Sequence, residues 1–247
     1  MSYMALMPMM ALRPMPHCIT AESRRRTMHF KASLLHFVVM SVIISALGLR
    51  ALPAVAQDRP LQLVGFGDSL MAGYQLAPTE SYTAQLEAAL KAKGVAVTIA
   101  NAGVSGDTST GGLSRIDWSV PDGTDGVILE LGANDALRGI SPEQTEKSLD
   151  TTIARLKERG IPILLMGMLA PPNMGPEYAA RFNPIYKRLA DKHGVALYPF
   201  FLDGVASVSS LQLSDGMHPN PQGVAMMVER SLPAVESFLG DIQKRPK

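Results

Sequence analysis

From Leu61 onward, apolar runs of strand length alternate with stretches of helical spacing, and that alternation leaves few architectures open. Residues 61–67, 95–100, 126–132, 161–169 and 196–200 read as strands. Residues 82–93, 142–159, 178–193 and 222–238 read as helices. Ser141 is the expected N-cap of the long helix at 142–159, with Pro142 at its first position. Pro184 should kink the stretch at 178–193 or mark its true start, and Gly194 should close it. Strands alternating with helices imply a parallel sheet covered on both faces. In such α/β sheets, ligands bind beyond the carboxyl ends of the strands, so chemistry is sought in the residues that follow each strand.

The first 56 residues differ from the rest. They carry six Lys/Arg against the single acid Glu22, whereas 57–247 carries 17 basic and 21 acidic residues, a net of −4. A polyanion binder clusters Lys/Arg on one face; this mildly acidic body supplies no such cluster, so no nucleic-acid partner is expected. Residues 28–56 read as a signal peptide: His29 and Lys31 give a basic start, 34–49 an apolar run, and Ala54-Val55-Ala56 a small-x-small cleavage site. The run is shorter than the roughly 20 residues needed to span a bilayer, so no stable membrane insertion is expected after cleavage. The expected organisation is a leader, 1–56, and one domain, 57–247, exported to the periplasm or beyond. Cys18, the only cysteine, lies in the leader, which leaves the body no disulfide and no Cys-based nucleophile or metal site.

Four segments, three after strands and one in a Gly- and Pro-bounded loop before the last helix, can carry chemistry. The first strand runs into Gly67-Asp68-Ser69-Leu70, placing a hydroxyl at the sheet edge beside unpaired backbone N–H groups. Taken alone, that is more simply a cap or turn. Asn101 to Ser109 holds Gly103 and Gly106, where backbone can approach a ligand closely. Gly112 stands where a phosphate-binding loop needs its Lys, so that reading fails. Gly132-Ala133-Asn134-Asp135 offers the Asn134 amide as a neutral donor, or a turn capped by Asp135. Asp215-Gly216-Met217-His218 places a carboxylate where it can fix one imidazole tautomer. The other histidine of the body, His193, precedes Gly194 at a helix end, where a cation meets the helix dipole. Together the four segments meet every chemical requirement of acyl transfer: nucleophile, oxyanion donors and an Asp–His pair.

These residues resemble the SGNH, or GDSL, hydrolase family over about 61–239. Ser69 lies in the first block, Gly106 in the second, Asn134 in the third, and Asp215 with His218 in the last. The similarity is greatest to the secreted bacterial arylesterase branch, which includes acyl-CoA thioesterase/lysophospholipase enzymes; 130–139, Pro171-Pro172-Asn173-Met174-Gly175 and Pro199-Phe200-Phe201 carry it. Ala133 departs from the pattern, since close relatives often have a second glycine there. The resemblance implies a three-layer α/β/α sandwich on a five-stranded parallel sheet, flavodoxin-like, with a shallow open site. It implies Ser69 as nucleophile, His218 as base, Asp215 as its orienting partner, and an oxyanion hole from the N–H groups of Ser69 and Gly106 and the Asn134 side chain. No metal or cofactor is implied. The expected activity is hydrolysis of carboxylic esters such as aryl esters and lysophospholipids, extending to acyl-CoA thioesters, by a monomer. An acyltransferase using the same acyl-enzyme, with a sugar or lipid acceptor, is the alternative. Loops at 71–81 and 169–176 are expected to shape the acyl pocket, with Met71, Leu76, Pro171, Pro172 and Met174 against the substrate.

Overall fold

The computed structural model describes residues 59–245. The leader, its signal peptide and the cleavage site lie outside the described residues. Five strands, β1 (Leu61–Gly67), β2 (Val97–Gly103), β3 (Gly126–Glu130), β4 (Ile163–Met166) and β5 (Ala196–Tyr198), form one sheet in the order β2-β1-β3-β4-β5. Every pairing is parallel. The chain builds β2 on one side of β1 and the remaining strands on the other, so the order reverses at β1. That reversal opens a crevice beyond the carboxyl ends of β1 and β3, the place where sheets of this type bind ligands.

The described residues hold eight α-helices, seven between strands and one after β5: α1 (Ser69–Ala72), α2 (Tyr82–Ala92), α3 (Ser109–Ser119), α4 (Ala133–Leu137), α5 (Pro142–Glu158), α6 (Pro176–Phe182), α7 (Ile185–His193) and α8 (Pro221–Gln243). α2 packs on α8, while α5 packs on both α3 and α7. The Tyr82 hydroxyl and Ser231 Oγ, 2.7 Å apart and buried, tie α2 to α8. β3 and β4 are buried along their whole length, as expected of strands covered on both faces. Ser141 caps α5 through its side chain, which accepts from the Gln144 N–H, and Pro142 opens the helix. The expected helix at 178–193 is divided: α6 ends at Phe182 and α7 begins at Ile185, with Pro184 as its N-cap.

Several expectations of extent are corrected: the strands expected at 126–132, 161–169 and 196–200 are shorter, at Gly126–Glu130, Ile163–Met166 and Ala196–Tyr198. β2 begins and ends later than the β-branched run suggests, because its register with β1 runs from Leu61↔Val97 to Gly67↔Gly103. Asn101, Ala102 and Gly103 therefore belong to the strand and not to the loop after it. α3 went unrecognised, since its sequence STGGLSRIDWS contains two glycines, poor helix formers. Packing explains one of them: a Cβ on Gly112 would stand 2.3 Å from Leu131 Cδ1.

Candidate active site

The turn that carries Ser69 is built by the residue before it. Asp68 is the N-cap of α1, its Oδ1 accepting from the Leu70 N–H at 3.0 Å. Ser69 is thus the first helical residue, and its own N–H has no intrahelical partner. Its Oγ lies 2.9 Å from His218 Nε2. His218 comes from the loop before α8, 149 residues away in the chain.

Asp215 holds the imidazole. Its Oδ2 stands 2.7 Å from His218 Nδ1, and its Oδ1 accepts from the backbone N–H groups of Met217 (2.9 Å) and His218 (3.0 Å). Nδ1 facing a carboxylate carries the proton, which leaves Nε2 as acceptor for the Ser69 O–H. The backbone and side-chain bonds to His218 hold the Asp215 carboxyl down at about 2, against the smaller opposing effect of burial. It is therefore ionised whenever the imidazole must act. The Tyr74 ring lies against His218, centroids 4.4 Å apart.

Asn134 is the second residue of α4, and its Nδ2 donates to Asp68 Oδ2 at 3.0 Å. One amide hydrogen is thereby committed to Asp68, and the other is free to bind an oxyanion. Gly106 has φ +85°, a conformation that costs glycine little and other residues more. Its loop is fastened on three sides: Val104 N–H donates to Gly67 O (3.0 Å), Arg138 Nη2 donates to Gly106 O (2.7 Å), and Asp107 pairs with Arg115 (2.6 Å). The Gly106 N–H itself has no hydrogen-bond partner among the described residues.

Arg115 is the cation beneath this edge. It is buried, donates to Gly67 O and Ala102 O at 2.9 Å each, and its guanidinium carbon lies 4.0 Å above the Phe66 ring. One side chain thus joins the carboxyl ends of β1 and β2 to the Gly106 loop.

Two buried carboxyl groups lie behind the turn. Glu130, the last residue of β3, accepts from the Asp68 N–H through Oε2 at 3.1 Å. Burial raises Asp68 to about 6, and burial together with the Asp68 charge pushes Glu130 well above the usual carboxylate range. Sequence reasoning passed over Asp68, Glu130, Tyr74, Arg115 and Arg138. The available signal for Glu130 was one acid inside the apolar run GVILELG, a place where acids rarely sit without a purpose.

The expected pocket residues divide. Met71 is fully buried, and its sulfur lies 2.8 Å from where a Gly65 Cβ would stand. It belongs to the core, because α1 turns that face onto β1, and it is withdrawn from the substrate set. Leu76, Pro171 and Met174 are half-buried and Pro172 is exposed. The exposed large apolar side chains Tyr74, Val104, Leu137, Leu169 and Met217 follow the strand ends and neighbour the site residues in sequence. His193 closes α7 before Gly194 and pairs with Asp150 at 2.6 Å, apart from the chemistry.

The model of the GDSL-like lipase/acylhydrolase family matches residues 66–226. Esterase TesA of Pseudomonas aeruginosa is 34% identical over 194 residues, 78% of this chain and 96% of its own length. An arylesterase of Vibrio mimicus is 38% identical over 177 residues, 71% of this chain and 88% of its own. The crystal structure of AlinE4, an SGNH-hydrolase family esterase, superposes with a TM-score of 0.62 at 46% identity, covering 73% of this chain and 97% of that one. A chain with this match and these relatives belongs to the GDSL-like lipase/acylhydrolase family, whose members among its relatives hydrolyse esters.

Proposed function

We propose that the protein hydrolyses carboxylic esters through an acyl-enzyme on Ser69. The observation that carries this reading is the line from Ser69 Oγ to His218 Nε2 (2.9 Å) and from His218 Nδ1 to Asp215 Oδ2 (2.7 Å). Ser69 Oγ attacks the acyl carbonyl carbon while His218 Nε2 takes its proton. The carbonyl π electrons move to oxygen, and the resulting oxyanion is held by the N–H groups of Ser69 and Gly106 and the free hydrogen of the Asn134 amide. Collapse expels the alcohol, phenol or thiol, which leaves with the proton from His218. Water then attacks the acyl-enzyme, His218 again taking the proton, and the acid departs as Ser69 recovers its hydrogen. Asp215 stabilises the imidazolium in both halves without taking its proton.

Aryl esters and lysophospholipids are the proposed substrates, with acyl-CoA thioesters as a further class. Support comes from the exposed Tyr74 ring, which lies against His218 and suits an acyl chain or aromatic leaving group. Leu76, Pro171, Pro172 and Met174 remain in the proposed contact set. Export by the leader, with cleavage after Ala56, places the mature monomer in the periplasm or outside the cell. Among the described residues no helix is long and apolar enough to cross a membrane.

Fluorophosphonate labelling tests the serine mechanism: the probe should modify Ser69, and Ser69→Ala should lose both labelling and ester turnover. Retained turnover in Ser69→Ala would refute it. Acyl transfer to added alcohols in preference to water would favour the acyltransferase reading.

A further inference from the structure

The mechanism above gives no task to Glu130, yet the fold goes to some length to keep it. The side chain is fully buried at the carboxyl end of β3, directly under the Ser69 turn. Gly67 is shaped around it: a Cβ there would stand 2.5 Å from Glu130 Oε2 and 2.7 Å from the Glu130 carbonyl oxygen. As a carboxylate, Glu130 would be costly. Its Oε1 receives no hydrogen bond, and among the described residues no Lys or Arg bonds either Glu130 or Asp68. An isolated buried ion of this kind neutralises itself in preference to staying charged.

Asp68 has the opposite surroundings. Its carboxylate accepts from the Leu70 N–H and from Asn134 Nδ2, and its backbone N–H donates to Glu130 Oε2 at 3.1 Å, which sets the two buried carboxyl groups side by side. Double ionisation of two adjacent buried carboxyl groups is strongly disfavoured, so one of them keeps its proton. The donors are gathered on Asp68, so the proton belongs to Glu130. Burial acts in the same direction and pushes Glu130 above its usual range.

We infer that Glu130 is a positioning residue: held as a neutral carboxylic acid, it fixes the Asp68 carboxylate, and through it the Asn134 amide that receives the oxyanion. A neutral Glu130 satisfies Asp68 twice, accepting its backbone N–H and donating to its side chain. Asp68 then divides its remaining capacity between the Leu70 N–H, which shapes the Ser69 turn, and Asn134. Loss of Glu130 leaves Asp68 short of a donor and free to turn, so Asn134 loses its fixed aim. The effect falls on the transition state, in which the oxyanion exists, and spares binding of the neutral ester.

This inference rests on the oxyanion role proposed for Asn134, and its test separates the two. The purified full chain is compared with Glu130→Gln, Glu130→Leu, Asn134→Ala and the Glu130→Leu/Asn134→Ala double variant on a p-nitrophenyl ester. Gln can accept from the Asp68 N–H and donate to its carboxylate, so E130Q keeps most of the wild-type kcat. E130L lowers kcat roughly 10–10²-fold with KM little changed, less than outright removal of an oxyanion donor. In the double variant the loss does not exceed that of N134A alone, because both changes disable the same group. Infrared spectra at neutral pH show a protonated-carboxyl C=O band in wild type and N134A that is absent from E130Q. The spectra decide the protonation state even if E130L folds poorly. Absence of the band, an unimpaired E130L, or losses that multiply in the double variant would overturn the inference. Normal turnover in N134A would instead remove the oxyanion reading itself.

Discussion

Asn134 is the side chain whose removal separates chemistry from folding most cleanly. It is partly exposed, but its side chain donates to the buried Asp68 carboxyl, so Asn134→Ala should still fold and should lower the thermal midpoint by only several degrees. Acylation, read from the pre-steady-state burst, should slow by roughly 10²–10³-fold, the usual cost of losing one oxyanion donor. Asp215 makes a second prediction at this scale. Its folded-state pKa is depressed to about 2 by its bonds to His218, below the roughly 3.9 of an unperturbed Asp. A depressed carboxylate adds stability that is present above the unfolded value and is lost as pH falls through the folded one. The stability gap between wild type and Asp215→Asn should therefore be full at neutral pH and close between about pH 4 and about pH 2. Denaturant midpoints measured across that window check it; a gap that widened on acidification would contradict the assignment.

Among the elements, the ends of β1 and β2 and the loop after β2 depend on Arg115. Its pairing with Asp107 is largely buried, with side-chain exposures of 7% and 18%, and breaking a pair of that kind typically costs about 3–5 kcal/mol. Arg115→Ala should lose stability on that order in urea titrations. It should also slow turnover by loosening the Gly106 loop, whereas a surface variant such as Lys187→Ala changes neither. The same edge shows what a sequence can and cannot disclose. Ser69, Gly106 and Asn134 stood out as polar or glycine residues just after strands, whose ends are legible from apolar periodicity, and Asp215 and His218 as an Asp–His pair in a Gly- and Pro-bounded loop. α5 was equally legible, since Ser141 and Pro142 announce its start. α3 was not, because Gly112 is dictated by Leu131, a tertiary neighbour invisible to local propensity. Met71 failed for a related reason. Proximity in sequence to Ser69 suggested contact with substrate, but four residues of helix are enough to turn its side chain into the core. Arg115 and Glu130 owe their importance to partners 48 and 62 residues away, and no local pattern encodes that.

For the whole molecule, the sheet order places the crevice between β1 and β3, and the residues that line it come from the loops after β1, β2, β3 and β5. The scaffold thus gathers groups far apart in sequence. If the leader directs export, protein recovered from the periplasm or medium of a bacterial host should begin at Gln57, which N-terminal sequencing reads directly; an intact leader on exported protein would contradict the cleavage site. The most informative single measurement is turnover of matched p-nitrophenyl and CoA esters of rising chain length by the purified protein and by Ser69→Ala, with fluorophosphonate labelling in parallel. Wild type should hydrolyse the esters and be silenced by labelling at Ser69, and the variant should do neither. A Ser69→Ala protein that still turned over these esters would show that the line from Ser69 through His218 to Asp215 is not the catalytic machinery.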